Sequence, residues 1–113
     1  MKIAVTSTGP TLDDAVENRF GRCAYYLIVD TDTMEFEALA NPNITQGGGE
    51  DIPSAQLIAD KDVSVVITGS CGPNAIQIFG VSGIQMITGI IGSVRQAIRR
   101  FNSGALLFKY DNC

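Results

Sequence analysis

The chain has 113 residues, 45% of them hydrophobic, with 8 basic against 12 acidic side chains, a net charge of −4 and no histidine. This length and composition suit one domain with a single core, and the acidic balance argues against a protein built around a phosphate backbone. Without histidine, the Ser-His-Asp and Cys-His arrangements and the commonest metal ligand are all missing, which argues against conventional hydrolase chemistry.

Residues 2–8, KIAVTST, alternate and are β-branched before Gly9-Pro10, so they predict a first strand. Residues 11–23, TLDDAVENRFGRC, are polar and irregular and predict a surface loop. Two strands follow at 24–31 and 34–40, joined by a tight Asp-Thr turn. The second alternates Met34, Phe36 and Ala38 against Glu35 and Glu37, as a half-exposed strand near a sheet edge would. Residues 41–53, NPNITQGGGEDIP, carry Asn, Pro and three consecutive glycines and predict a long loop. Asp51 and Pro53 stand where a cap and a first-turn proline belong, and Ala55, Leu57, Ile58 and Ile52 form the apolar side of the helix they open.

Residues 63–70, VSVVITGS, are apolar along most of their length, as a central strand covered on both faces requires. A short helix over 73–80 turns Ala75, Ile76 and Phe79 inward, and 83–89 form another buried strand. Ser93 caps a last helix whose Val94, Ala97, Ile98 and Phe101 keep helical spacing, with Gly104 closing it. The order β-β-β-α-β-α-β-α implies an antiparallel opening hairpin and parallel strand–helix–strand units. The expected fold class is therefore α/β: a single domain over 1–108 with a C-terminal tail at 109–113, built on a mixed five-stranded sheet of order 3-2-1-4-5 with three flanking helices. In such sheets ligands bind outside the carboxyl ends of the parallel strands. Ser7-Thr8-Gly9, Ser70-Cys71-Gly72 and Thr88-Gly89 converge there.

Cys71 sits between a buried strand and a helix start, where a thiolate would be stabilised; it is a ligand, a nucleophile or a small residue that fits. Cys23, after Phe20-Gly21-Arg22, belongs either to the same rim or to the inward side of the second strand. Arg19 and Arg22 complement an anion or are solvated beside Asp13, Asp14 and Glu17. Gly47, Gly48 and Gly49 let backbone N–H groups approach an anion or serve as a linker; the Gly-Lys-Ser/Thr ending of a phosphate-binding loop is absent. Arg95, Arg99 and Arg100 read as a solvated helix face rather than a nucleic-acid site. Three widely spaced cysteines, Cys23, Cys71 and Cys113, form neither a disulfide framework nor a zinc signature. The first strand lacks the carboxylate that a two-metal nuclease needs. With no apolar run of about 18 residues and an opening too short for a secretory signal, the expected location is cytoplasmic, away from membranes.

Phe20-Gly21-Arg22, Asn41-Pro42 after the third strand, the glycine run 47–49 and Gly72-Pro73-Asn74-Ala75, in this order over nearly the whole chain, resemble the dinitrogenase iron–molybdenum cofactor biosynthesis family, the NifX/NafY/NifB C-terminal domain group. The resemblance implies a ribonuclease H-like fold, no enzymatic activity, and carriage of an iron–sulfur or iron–molybdenum-type cluster or its precursor. It implies a rim of Cys71, Gly72, Asn74, Cys23, Arg22, Arg19 and Gly47–Gly49, with Cys71 and Cys23 as metal contacts. Partners would be the cluster or a small anionic ligand and a cluster donor or acceptor protein, the chain being a monomer or homodimer. Arg19 stands where many members carry histidine, which moves ligation to sulfur. Two cysteines are too few for a closed four-thiolate site in one chain, so the contact would be open, shared across a dimer, or made to a cluster that brings its own ligands. The alternative is a regulatory or interaction module that binds an anionic metabolite or partner protein at the same rim.

Overall fold

The computed structural model describes residues 1–41 and 51–104, with 51–53 described by their backbone alone. Gly47, Gly48, Gly49, Pro42, the side chain of Ile52 and the expected tail at 109–113 with Cys113 lie outside the described residues. The elements follow the expected order: β1 (Lys2–Ser7), β2 (Tyr25–Asp30), β3 (Phe36–Ala40), α1 (Asp51–Ala59), β4 (Val65–Ile67), α2 (Pro73–Ser82), β5 (Gln85–Ile87) and α3 (Val94–Asn102). They form one mixed sheet of order β3-β2-β1-β4-β5. β1 pairs antiparallel with β2 and parallel with β4, so Val5 stands between Leu27 and Ile67.

The alternation of side chains along a strand explains how one sheet serves two cores. Ile3, Val5, Leu27, Val29, Val65 and Ile67 face α3, where they meet Val94, Ala97 and Ile98. Ala4, Tyr26, Ile28, Val66 and Met86 face α1 and α2, where they meet Ala55, Ile58, Ala75 and Phe79. The expected single core is thus two layers, one on each face. Val65, Val66 and Ile67 are buried, as a strand covered on both faces must be, and each contributes roughly 1.5–3 kcal/mol of hydrophobic burial.

Several boundaries differ from the sequence reading. β4 and β5 shrink to three residues each; past β4, Thr68 N still donates to Ile87 O of β5, while Gly69 N turns to Glu17 O in the segment 11–23. α1 begins at Asp51, so that residue lies inside the helix; its Leu57 is only half-buried, beside buried Ala55 and Ile58. The hairpin turn is longer than two residues, with Met34 at φ 63. In β3 Phe36 is 42% exposed and Ala38 is exposed, leaving only Leu39 half-buried. That face is barely sheltered because α3 packs over β1, in the middle of the sheet. α3 opens with a capping box in which the Ser93 hydroxyl accepts from Gln96 N at 3.1 Å and Gln96 Oε1 accepts from Ser93 N at 3.2 Å. Ser103 caps its end, followed by Gly104 at φ 79.

The largest departure is the segment 11–23, expected on the surface. Leu12, Val16, Phe20 and Cys23 in it are buried. Leu12 and Val16 complete the α3 layer, while Phe20 and Cys23 enter the α1/α2 layer. The segment is a strap that crosses the carboxyl edge of the parallel strands.

Candidate functional site

The strap is held by backbone bonds to three successive strand ends. Glu17 N donates to Thr6 O near the end of β1 at 2.9 Å, Phe20 N donates to Ser70 O beyond β4 at 2.9 Å, and Val16 N donates to Gly92 O beyond β5 at 2.8 Å. These bonds satisfy polar groups that a covered sheet edge would otherwise leave unpaired. A β-carbon on Gly69 would lie 2.6 Å from the Cα and carbonyl oxygen of Asn18. Only glycine lets the strap seat this closely on β4's exit.

Phe20-Gly21-Arg22 gains a physical role here. Arg22 N donates to Arg19 O at 3.2 Å, closing a four-residue turn, and Gly21 takes φ 89. A positive φ at the third position is what a type II turn reserves for glycine. The turn sends Phe20 inward, its ring centroid 5.6 Å from that of Tyr26 and 5.4 Å from that of Phe79. It leaves Arg19 and Arg22 exposed at its two ends. The Asn41 side chain clamps the far side, donating to Gly21 O at 3.1 Å and to Cys23 O at 2.9 Å.

Arg19 bridges to Ser70 in parallel register, and Ser70 Oγ donates to Asn18 O at 2.9 Å. One residue on stands Cys71, half-buried, its thiol donating to Gly72 O at 3.6 Å. Gly72, rather than Cys71, is the N-cap of α2; it is followed by Pro73 and offers no capping side chain. No side chain caps the N–H groups of the first turn, where Asn74 is exposed. The backbone thus sets the Arg19–Arg22 turn beside Ser70, with Cys71, Gly72 and Asn74 following Ser70 in the chain.

Cys23 does not join them. It has no exposed surface and packs with Phe20, Tyr26 and Phe79. Burial pushes its thiol up from 9.0 to about 12, against smaller opposing effects from the Tyr26 hydroxyl and backbone groups. Of the two readings for Cys23, the geometry takes the inward one. Among the described residues, no group of three or more His, Cys, Asp or Glu side chains is placed to hold a metal ion. That donor set does not fit a closed thiolate-ligated cluster.

Thr6, Thr68, Gly69 and Asn41 carry the strap, and the sequence reading assigned none of them this role. A trace was present: Thr6 and Thr68 are polar residues that end otherwise apolar runs, and both are buried.

A five-stranded mixed sheet with one helix on one face and two on the other, its carboxyl edge strapped and bearing a thiol and two arginines, defines a small α/β domain with a polar rim. The chain belongs to the dinitrogenase iron–molybdenum cofactor family, which it matches over residues 1–104. It is 38% identical to the orange protein of Desulfovibrio gigas, whose apo form superposes with a TM-score of 0.90 over 96% of this chain and 92% of that one. A putative NifB protein from Thermotoga is 29% identical, with a TM-score of 0.81 over 95% and 91% of the two chains. An uncharacterised protein of Methanocaldococcus jannaschii is 30% identical over 109 residues, 94% of this chain and 89% of the relative.

Proposed function

We propose that the protein is a non-enzymatic carrier that binds an anionic metal–sulfur cluster or its precursor, iron–sulfur or heterometal, and passes it to a partner protein. The cargo brings its own sulfide ligands. Cys71 supplies one soft contact, while Arg19, Arg22 and the uncapped N–H groups at Gly72 and Asn74 supply charge and hydrogen bonds. The observation that carries this reading is the Arg19–Ser70 bridge, which brings a cationic turn beside the only half-exposed thiol among the described residues. Family membership supports the class of cargo, and the apo form of the orange protein supports a ligand that can be separated from this fold.

The test is anaerobic incubation with iron and sulfide, and separately with a preformed anionic heterometal sulfide, followed by absorption spectroscopy and metal analysis. Wild type should retain stoichiometric metal through desalting, and Cys71→Ser and Arg19→Gln should each retain at least several-fold less. Equal, negligible uptake by all three sinks the carrier reading. A second reading, a module that binds an anionic metabolite, is favoured by the scarcity of accessible thiols. It predicts thermal stabilisation by simple anions that follows mass action and survives Cys71→Ser.

A further inference from the structure

Thr6 and Thr68 are 1% and 0% exposed, at the carboxyl ends of β1 and β4. Thr6 Oγ1 lies 2.9 Å from the Glu17 carbonyl oxygen and 2.8 Å from Thr68 Oγ1. A hydroxyl has one proton to give. If Thr6 gives its proton to the Glu17 carbonyl, Thr68 must give its own to Thr6. Thr68 Oγ1 also lies 3.5 Å from the Glu17 carbonyl oxygen, so in either direction the pair ends on the strap, over the shorter bond when Thr6 gives the proton. Neither side chain reaches solvent, so neither touches a ligand. A pair of valines would pack as well in these strands without holding the carbonyl.

Beyond Glu17 the strap makes the contacts that place Arg19. Gly69 N donates back to Glu17 O at 3.4 Å, a long bond that does little alone. Phe20 N reaches Ser70 O, and Arg19 lies in register with Ser70, next to Cys71. The Glu17 carbonyl is thus the point from which the cationic turn hangs, and the Thr6 hydroxyl is its strongest side-chain tether.

We propose that Thr6 and Thr68 are positioning residues for the rim: their hydroxyl pair latches the strap at Glu17, so that the Arg19 guanidinium and the Cys71 thiol face one anionic ligand together. This deepens the reading of Arg19 and Cys71 as parts of one site and rests on it. Its consequence is electrostatic, and it is present before any cargo binds. With the latch closed, Cys71 stands in the positive field of Arg19, which favours approach of an anion over a neutral molecule. With the latch open, the selectivity is lost while the fold remains.

The test uses the apo protein and two alkylating reagents of similar size, anionic iodoacetate and neutral iodoacetamide. The rate ratio of the two at Cys71, measured by mass spectrometry at low salt, reports the local potential. Arg19→Gln should lower the ratio about twofold, the effect of removing one unit charge roughly 10 Å away in water. Thr6→Val should lower it as far, and Thr6→Ser, which keeps the hydroxyl, should restore it. Amide exchange at Phe20 and Gly69 should quicken about tenfold in Thr6→Val while Leu27 and Val29 keep their wild-type rates. Gly69→Ala opens the strap from the other side and should give the same fall in ratio, which secures the result if Thr6→Val folds poorly. A wild-type ratio in both Thr6→Val and Gly69→Ala overturns the proposal, as does a uniform rise in exchange across the sheet. Because no cluster enters these measurements, the latch and the carrier reading can fail separately.

Discussion

Cys23 and Cys71 show how one residue type divides by environment within a few residues of the same strap. Cys71 is half-buried at a strand exit and Cys23 is sealed among aromatic rings, so only the first is open to a ligand or reagent. The sealed thiol makes a prediction about pH. Its folded pKa, about 12, lies above the ordinary 9.0, so the fold favours the protonated form. The stabilisation is complete below pH 9 and is lost as pH rises toward 12, because the unfolded chain releases a proton that the fold retains. At pH 10 this costs on the order of 1 kcal/mol. Urea unfolding of wild type and Cys23→Ala at pH 8 and pH 10 should show wild type losing about that much more than the variant between the two. Equal losses would mean that the Cys23 thiol ionises inside the fold as readily as outside it.

Among the elements, the turn at 19–22 is the one on which the rim's geometry depends, and its glycine gives the sharpest test. Gly21 at φ 89 occupies backbone space that a β-carbon strains. Gly21→Ala should cost about 1–2 kcal/mol in urea unfolding and lower metal retention, because a distorted turn pulls Arg19 and Arg22 apart. Unchanged stability would show that the turn tolerates an L side chain and that glycine is there for another reason. The turn also marks where sequence patterns stop being informative. The strands and helices were legible because period-two and period-3.6 stripes report which face is buried. Even the sheet order followed from the alternation of strands and helices after β3. Residues 11–23 carry their buried side chains at Leu12, Val16, Phe20 and Cys23, separated by Asp13, Asp14, Glu17 and Asn18. That spacing, i, i+4, i+8 and i+11, is the spacing of a helix stripe, yet the segment forms no helix, because much of its backbone bonds to Thr6, Ser70 and Gly92 at the strand ends. Cys71 was legible as a junction residue, whereas for Cys23 the sequence left the rim and the inward side of the second strand both open, because its neighbour Arg22 is exposed. The role of Asn41, an amide clamping two carbonyls 20 and 18 positions away in sequence, has no local signal at all.

For the molecule as a whole, the central question is whether two cores on opposite faces of one sheet behave as one cooperative unit. α3 closes one layer and α1 with α2 the other, and among the described residues no side chain belongs to both. The backbone does belong to both: β1 puts Ile3 and Val5 into the first layer and Ala4 into the second, and β4 divides Val65 and Ile67 from Val66 in the same way. A strand cannot lose one face without freeing the other, and the strap adds Val16 to one layer and Phe20 to the other. This coupling through shared strands predicts a single two-state transition of the kind small domains show. Ile58 and Ile98, both with no exposed surface, sit in opposite layers and share no partner. Ile58→Val and Ile98→Val should each cost about 0.5–1.5 kcal/mol, and the double variant should lose the sum to within about 0.5 kcal/mol. In a background with Tyr25 and Tyr110 replaced by phenylalanine, circular dichroism should give the same urea midpoint as tyrosine fluorescence in every variant, since Tyr26 then reports the α1/α2 layer, Tyr25 of the α3 layer being removed, while ellipticity reports all three helices. If Ile98→Val instead splits the transition, so that ellipticity falls before fluorescence, then α3 unfolds as a unit of its own. The strap, bonded to Val94 N and Arg95 N through Asp14 O and Leu12 O at 2.9 and 2.7 Å, would loosen with it, and the rim would be only as stable as that helix.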